Sequence, residues 1–270
     1  MSLHDTLSDD DKTAPTVQLI PLIRYEGVTK SFGLEQIYSD LSFVVYPGET
    51  VCIIGPSGVG KSVMIKMLNG LLAPDSGDIV FDGQHLHTLK SDEDFLDIRK
   101  RVSMVFQGAA LFDSLDVFDN LAYALREEGQ IAEDVIAHRV QERLGWVDLA
   151  GIEHKMPSEL SGGMRKRVGL ARAIMMDPEV ILYDEPTTGL DPVNCRRIGE
   201  LILSLRDRLN CTSLVVTHDV PVMRQIADRL LFVYDGQIVA QGSFDELNLE
   251  GPDYVREFLQ GKLHGEDIRP

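Results

Sequence analysis

Long apolar runs are missing from this chain of 270 residues: none exceeds five, as at Leu230 to Tyr234, against the roughly 20 that a helix needs to cross a bilayer. Any membrane role must be borrowed from a partner. Basic charge is scarce as well. With 26 Lys and Arg against 43 Asp and Glu, the net charge is −17, and a surface of that sign repels nucleic-acid phosphates and anionic headgroups. No nucleic-acid partner is expected. Cysteine is limited to Cys52, Cys195 and Cys211, an odd number without metal-ligand spacing, which fits a reduced cytosolic compartment. Residues 1–16 have almost no apolar periodicity and carry Asp5, Asp9, Asp10 and Asp11. They read as a disordered acidic tail outside the fold, and as neither a signal nor a transit peptide.

What is present is an alternation of short β-like runs and helical patterns. Strands are expected at Ser42 to Tyr46, Thr50 to Ile54, Asp78 to Phe81, Arg101 to Phe106, Val180 to Tyr183 and Ser213 to Thr217. Several are apolar throughout, as buried central strands are. Asp235-Gly236, between Leu230 to Tyr234 and Gln237 to Ala240, predicts a hairpin. Met64, Ile65, Leu68 and Leu71 share one helical face, and a second helix is predicted through Ile198, Leu201, Ile202, Leu205 and Leu209 behind Asp191-Pro192. Between Gln107 and Pro157 strand signals stop. There Val117, Leu121 and Leu125, then Val135, Val140 and Leu144, recur at helical intervals. The fold class expected is α/β, with an α-helical subdomain inserted at about 107–163 between core segments of about 17–106 and 164–250. Residues 251–270 form a C-terminal extension, in which Tyr254, Phe258 and Leu259 predict a short amphipathic helix packed on this chain.

The run Gly55-Pro56-Ser57-Gly58-Val59-Gly60-Lys61-Ser62 stands between a predicted strand and a predicted helix. Glycines there let backbone amides converge on phosphates at a helix N-terminus. Lys61 is placed to reach the β and γ phosphates and the Ser62 hydroxyl to hold Mg²⁺, so ATP and magnesium are the expected ligands. Asp184 and Glu185 end a buried strand, where adjacent side chains point to opposite sides. Asp184 is assigned to the metal, through water, and Glu185 to the attacking water. Paired carboxylates at a strand end are otherwise ordinary solvated charges. His218 closes the next apolar strand, one crossover helix later, which brings it to the same sheet edge as a γ-phosphate sensor. The other six histidines show no comparable placement and read as surface groups.

Leu160-Ser161-Gly162-Gly163-Met164 precedes a helical pattern through Val168, Ala171 and Met175. A serine N-cap accounts for stability. It does not account for two glycines, unless something approaches the backbone closely, and a phosphate at the helix N-terminus does so. The segment lies beyond the helical insertion from Lys61, so the phosphate is expected to belong to a second copy of the chain.

With these motifs in order, the sequence resembles the ATP-binding-cassette (ABC) ATPases over roughly Leu22 to Glu250. That resemblance implies a RecA-like P-loop core with an antiparallel β subdomain beside the helical insertion. It makes Leu160 to Met164 the signature that caps the opposite protomer's γ-phosphate; Met164 stands where glutamine is commoner. Gln107 then matches the glutamine that touches magnesium and water, Asp191 the aspartate at the dimer seam, and Phe32 the aromatic that stacks on adenine. The strings Phe106-Gln107-Gly108-Ala109-Ala110-Leu111-Phe112, Val117-Phe118-Asp119-Asn120-Leu121-Ala122-Tyr123 and Met156-Pro157-Ser158-Glu159 further resemble the ATPase subunits of Mce-type (Mla-like) lipid transporters. Implied partners are a second copy, a transmembrane permease and a lipid-binding Mce-domain subunit, with the chain peripheral on the cytoplasmic face of the inner membrane. A division-type ABC ATPase is the alternative within the family. A P-loop kinase or GTPase is the alternative outside it, although the guanine-reading Asn-Lys-x-Asp pattern is absent and the signature would go unexplained.

Overall fold

The computed structural model describes residues 20–262. The expected tail at 1–16 and residues 263–270 of the C-terminal extension lie outside the described residues. The strands among them are β1 (Ile23–Phe32), β2 (Glu35–Val45), β3 (Thr50–Ile54), β4 (Ser76–Phe81), β5 (Gln84–His85), β6 (Val102–Val105), β7 (Val180–Asp184), β8 (Thr212–Val216), β9 (Arg229–Tyr234) and β10 (Gln237–Gly242). They form two sheets. One is antiparallel in the order β2-β1-β4-β5; the other runs β10-β9-β3-β8-β7-β6 and is parallel apart from the edge pair β10/β9. Parallel strands need crossovers, and helices supply them: α1 (Lys61–Leu68), α2 (Leu96–Arg101), α3 (Val117–Glu127), α4 (Glu133–Trp146), α5 (Gly162–Ala173), α6 (Pro192–Leu209) and α7 (Val220–Ile226), followed by α8 (Phe244–Glu250) and α9 (Asp253–Leu259).

Strands β3, β7 and β8 are buried along their whole length, which is why their sequences show unbroken apolar runs. Their alternation divides the core into two layers. Val51 and Ile53 face the antiparallel sheet and α1, packing with Met64, Leu182 and Leu214, whereas Cys52 and Ile54 face the opposite layer with Ile181, Tyr183 and Val215, against α5 and α6. Two tyrosines tie the antiparallel sheet to the start of α1: Tyr25 Oη donates to Met64 O at 2.7 Å and Tyr38 Oη to Gly60 O at 2.5 Å. Asp235 and Gly236 have φ of 45° and 73°, the pair of positive angles a type I′ hairpin requires.

Two positions depart from the helical periodicity. Leu71 is 48% exposed because α1 ends at Leu68 and the chain turns at Asn69 and Gly70. On α4 the apolar face runs through Ile136, and Val135 is 49% exposed. Helix α5, which begins where the inserted subdomain was expected to end, packs on α3 and α4 as well as on β6. Helix α9 lies on its own chain, with the Phe258 ring 5.3 Å from that of Phe232. No described helix is long and apolar enough to cross a membrane.

Candidate active site

The loop from Gly55 to Gly60 joins the buried end of β3 to α1, and its outer glycines are fixed by their surroundings, Gly55 by backbone and Gly60 by side chains. Gly55 has φ of 140°, and a Cβ there would lie 2.2 Å from Val233 O; Gly60 has φ of 92°, and a Cβ would lie 2.2 Å from Ile37 Cγ2. No side chain fits either place. Pro56 is buried, Val59 half-buried, and Ser57 and Gly58 form the exposed tip. Lys61 is only 8% exposed, yet its Nζ bonds to carbonyls alone, Gly55 O at 2.9 Å and Pro56 O at 2.6 Å. Burial pushes its pKa down, against the upward pull of Glu185 and Asp184. An ammonium has three donors, and the third is left for an anion.

Ser62 Oγ donates to Asp184 Oδ1 at 2.5 Å, and Lys66 Nζ lies 3.8 Å from Asp184 Oδ2. A buried carboxylate and a hydroxyl beside a phosphate-binding loop are hard oxygen donors of the kind magnesium takes, so the residues present fit that ion.

Glu185 is not the next residue of the strand, as expected from its neighbour's alternation. Strand β7 ends at Asp184, and Glu185 takes a left-handed φ of 50°. The kink, not the pleat, separates the two carboxylates. Its amide donates to Val216 O at 2.9 Å, tying the kink to β8. The side chain accepts from Thr188 Oγ1 at 3.2 Å and pairs with His218 Nδ1 at 2.8 Å. His218 follows β8, which lies between β3 and β7, and its side chain is 63% exposed. Glu185 and His218 therefore meet directly.

Ser161 caps α5, accepting from the Met164 amide at 3.3 Å. Ser161 and Gly162 are exposed, neither glycine of the pair has a positive φ, and a Cβ on Gly162 would meet nothing within 4 Å. Among the described residues nothing demands glycine at 162. Asp191 accepts from the amides of Val193 and Asn194 at 3.0 and 3.1 Å as the N-cap of α6. Phe32 ends β1 half-exposed, with Lys30 Nζ 5.2 Å from its ring centroid; it is not a core residue.

Sequence reasoning missed the side chains that fasten this region together. Gln107 itself is exposed, but its carbonyl accepts from Lys166 Nζ, which also reaches Glu185 O at 3.3 Å. Ala109 and Ala110 follow with left-handed φ of 63° and 49°, and Arg172 holds both carbonyls, at 3.1 and 2.7 Å. Burial lowers the pKa of Lys166 against the upward influence of Glu185 and Asp184. The signal was available: Lys166 occupies a buried helical stripe with Gly169, Leu170 and Ala173, where an unpaired lysine would be costly.

A family model described as "ABC transporter" matches residues 38–188, more than half of the chain. The chain is 42% identical over 245 residues to the "Intermembrane phospholipid transport system ATP-binding protein MlaF" of Haemophilus influenzae, covering 90% of this chain and 92% of that protein. It is 40% identical over 243 residues to the "Probable ribonucleotide transport ATP-binding protein mkl" of Mycobacterium tuberculosis, covering 90% of this chain and 67% of that protein. Among solved structures, the "ATP-binding cassette MJ0796 bound to ADP and Pi", a dimer in a post-hydrolysis state, superposes with a TM-score of 0.75 at 30% identity, covering 82% of this chain and 98% of that one.

Proposed function

Because the chain belongs to the ABC transporter ATPases, we propose that it dimerises on ATP and powers phospholipid transport through a separate permease. It is an ATPase of the cassette type. Each nucleotide would lie between the Gly55 to Ser62 loop of one copy and the Ser161 to Gly163 turn of the other. The observation that carries this reading is the exposed Ser161-Gly162 helix start, whose glycine no contact among the described residues explains. A helix N-terminus of this kind presents unpaired amides to an anion.

The roles of the side chains follow from their positions. Lys61 offers its remaining donor to the β and γ phosphates. Ser62 and Asp184 would hold Mg²⁺, with Gln107 completing the donors; the ion, when bound, neutralises phosphate charge. Glu185 orients and deprotonates the attacking water, and His218, paired to it, turns toward the γ-phosphate. Phe32 stacks on adenine, and Asp191 fixes the turn at the dimer seam. Phe112 and Tyr123, both half-exposed with rings 5.1 Å apart, offer an apolar footing for a permease helix beside Gln107. A Mce-domain subunit and a location on the cytoplasmic face of the inner membrane complete the assembly.

Phospholipid is favoured over ribonucleotide as cargo because the 42%-identical relative covers nearly all of both chains. Two measurements test the reading. A Glu185→Gln chain saturated with Mg-ATP should run as a dimer, alone or with its permease, and a strict monomer in both settings refutes the sandwich. ATP hydrolysis by the purified permease complex should be stimulated by phospholipid bilayers. Stimulation by free ribonucleotides, or association with a cell-division complex, refutes the lipid assignment.

A further inference from the structure

A second cluster of chemistry-bearing side chains lies on the antiparallel sheet. Strand β5 pairs with β4 with Val80 opposite His85 and Phe81 opposite Gln84; continuing that antiparallel register brings Asp78 opposite His87. Leu86, between the two histidines, is buried, while both imidazoles are about half exposed. Strand β5 ends at His85 and a 3-10 turn, Leu86–Thr88, carries His87 back, so that both rings reach the Asp78 carboxyl. His85 Nδ1 is hydrogen-bonded to Asp78 Oδ2, and His87 Nδ1 lies 2.7 Å from Asp78 Oδ1. That Oδ1 is fully buried and receives no well-aligned hydrogen bond. One ligand atom from each residue lies within 4.8 Å of the others, wider than the edge of about 3.3 Å set by a tetrahedron with bonds of about 2.0–2.1 Å, so the side chains must draw in to close the set.

We propose that Asp78, His85 and His87 form a zinc site, with the two Nδ1 atoms and one carboxylate oxygen as ligands and water in the fourth position. Two imidazoles select a borderline metal such as Zn²⁺ over the hard Mg²⁺ and Ca²⁺. Although burial of Asp78 works the other way, its contacts with His85 and His87 hold its carboxyl below the usual range. Lys90 Nζ donates to the His87 carbonyl at 2.6 Å. Bound zinc would staple β5 and the 3-10 turn Leu86–Thr88 to β4. In its absence His85 is hydrogen-bonded to the Asp78 carboxyl and His87 Nδ1 lies 2.7 Å from it.

The test uses the full chain without an affinity tag, stripped with chelator and titrated with zinc chloride by calorimetry in the absence of nucleotide. One zinc per chain is expected in the micromolar range. His85→Ala, His87→Ala and Asp78→Asn should each weaken it by at least about tenfold, since loss even of residues that only orient a metal ligand costs that much. Cobalt(II) bound to the unaltered chain should show the intense visible absorption of tetrahedral nitrogen and oxygen ligation. Three results overturn the site: no zinc uptake up to submillimolar metal, uptake equal in all three variants, or a weak octahedral cobalt spectrum. The cobalt spectrum decides even if a variant fails to fold.

Discussion

Glu185 offers a direct test because its backbone and its side chain predict opposite consequences. A left-handed φ of 50° costs a non-glycine residue about 1–2 kcal/mol. Glu185→Gly releases that cost, while the extra freedom of glycine in the unfolded chain takes back about 0.4–1 kcal/mol. The lost contacts are His218 Nδ1 at 2.8 Å and Thr188 Oγ1 at 3.2 Å. The imidazole is 63% exposed, so their loss costs about 0–1 kcal/mol. These terms sum to between about −1 and +1.6 kcal/mol, so the melting temperature of the nucleotide-free protein should fall by no more than about 4 °C or rise by no more than about 6 °C. Hydrolysis behaves otherwise. Removing the group that handles the attacking water should slow phosphate release about 10²- to 10⁴-fold, or about 3–5 kcal/mol of barrier. Glu185→Gln keeps the strain and the shape and should lose activity to the same extent. Steady-state phosphate release and thermal unfolding on both variants check this. Wild-type hydrolysis by Glu185→Gln refutes the catalytic assignment. A melting temperature for Glu185→Gly more than about 8 °C below wild type refutes the strain argument.

Lys61 gives a pH signature. Its pKa is lowered in the folded protein from 10.5, so between the lowered value and 10.5 the unfolded chain binds more protons, and the residue's contribution to stability rises with pH. Nucleotide-free Lys61→Met should be at least as stable as wild type at neutral pH, with the advantage narrowing toward pH 10.5, while ATP binding is lost; denaturant titration across pH checks the trend. Lys166→Met removes the donor to Gln107 O and Glu185 O. At the lower end for a charged hydrogen bond, about 1.5 kcal/mol, kcat should fall about tenfold with KM for ATP unchanged and with partial recovery in Lys166→Arg. Phe32→Ala should weaken ATP binding by about 1–3 kcal/mol, the range for an aromatic stacked on a base. Thermal stability should stay as it was, because the ring is half-exposed.

The parts legible in the sequence were those fixed by local rules. Thr50 to Ile54 and Val180 to Tyr183 read as buried strands because every position after Thr50 is apolar, and the structure buries them all, Thr50 included. Asp191-Pro192 announced the start of α6, and Asp235-Gly236 the hairpin. The phosphate loop was legible because its chemistry lies in consecutive residues. What escaped depends on contacts between distant segments. Gly60 is held by Ile37 and Tyr38 from another sheet. The turn at Glu185 is imposed by a hydrogen bond to Val216, which no pattern within β7 encodes. His85 and His87 are surface residues, as expected, but their contacts with Asp78 join separate segments and escape a reading along the chain.

Helix α5 ties these observations to the proposed cycle. Its exposed N-terminus, Ser161 and Gly162, is the face proposed to meet the other copy's phosphate, while Lys166, little more than one turn along, touches the carbonyls of Gln107 and Glu185. Arg172 near the far end pins the carbonyls of Ala109 and Ala110, two residues kept in left-handed conformations. That backbone strain, of order 1–3 kcal/mol per residue, persists only while the guanidinium holds it. A shift of α5 on engaging a partner's nucleotide would therefore be transmitted at once to the water-activating carboxylate and to the loop beside Phe112. A helix this short transmits such a shift as a rigid rod, so the seam of the dimer and the chemistry of each site need no separate messenger.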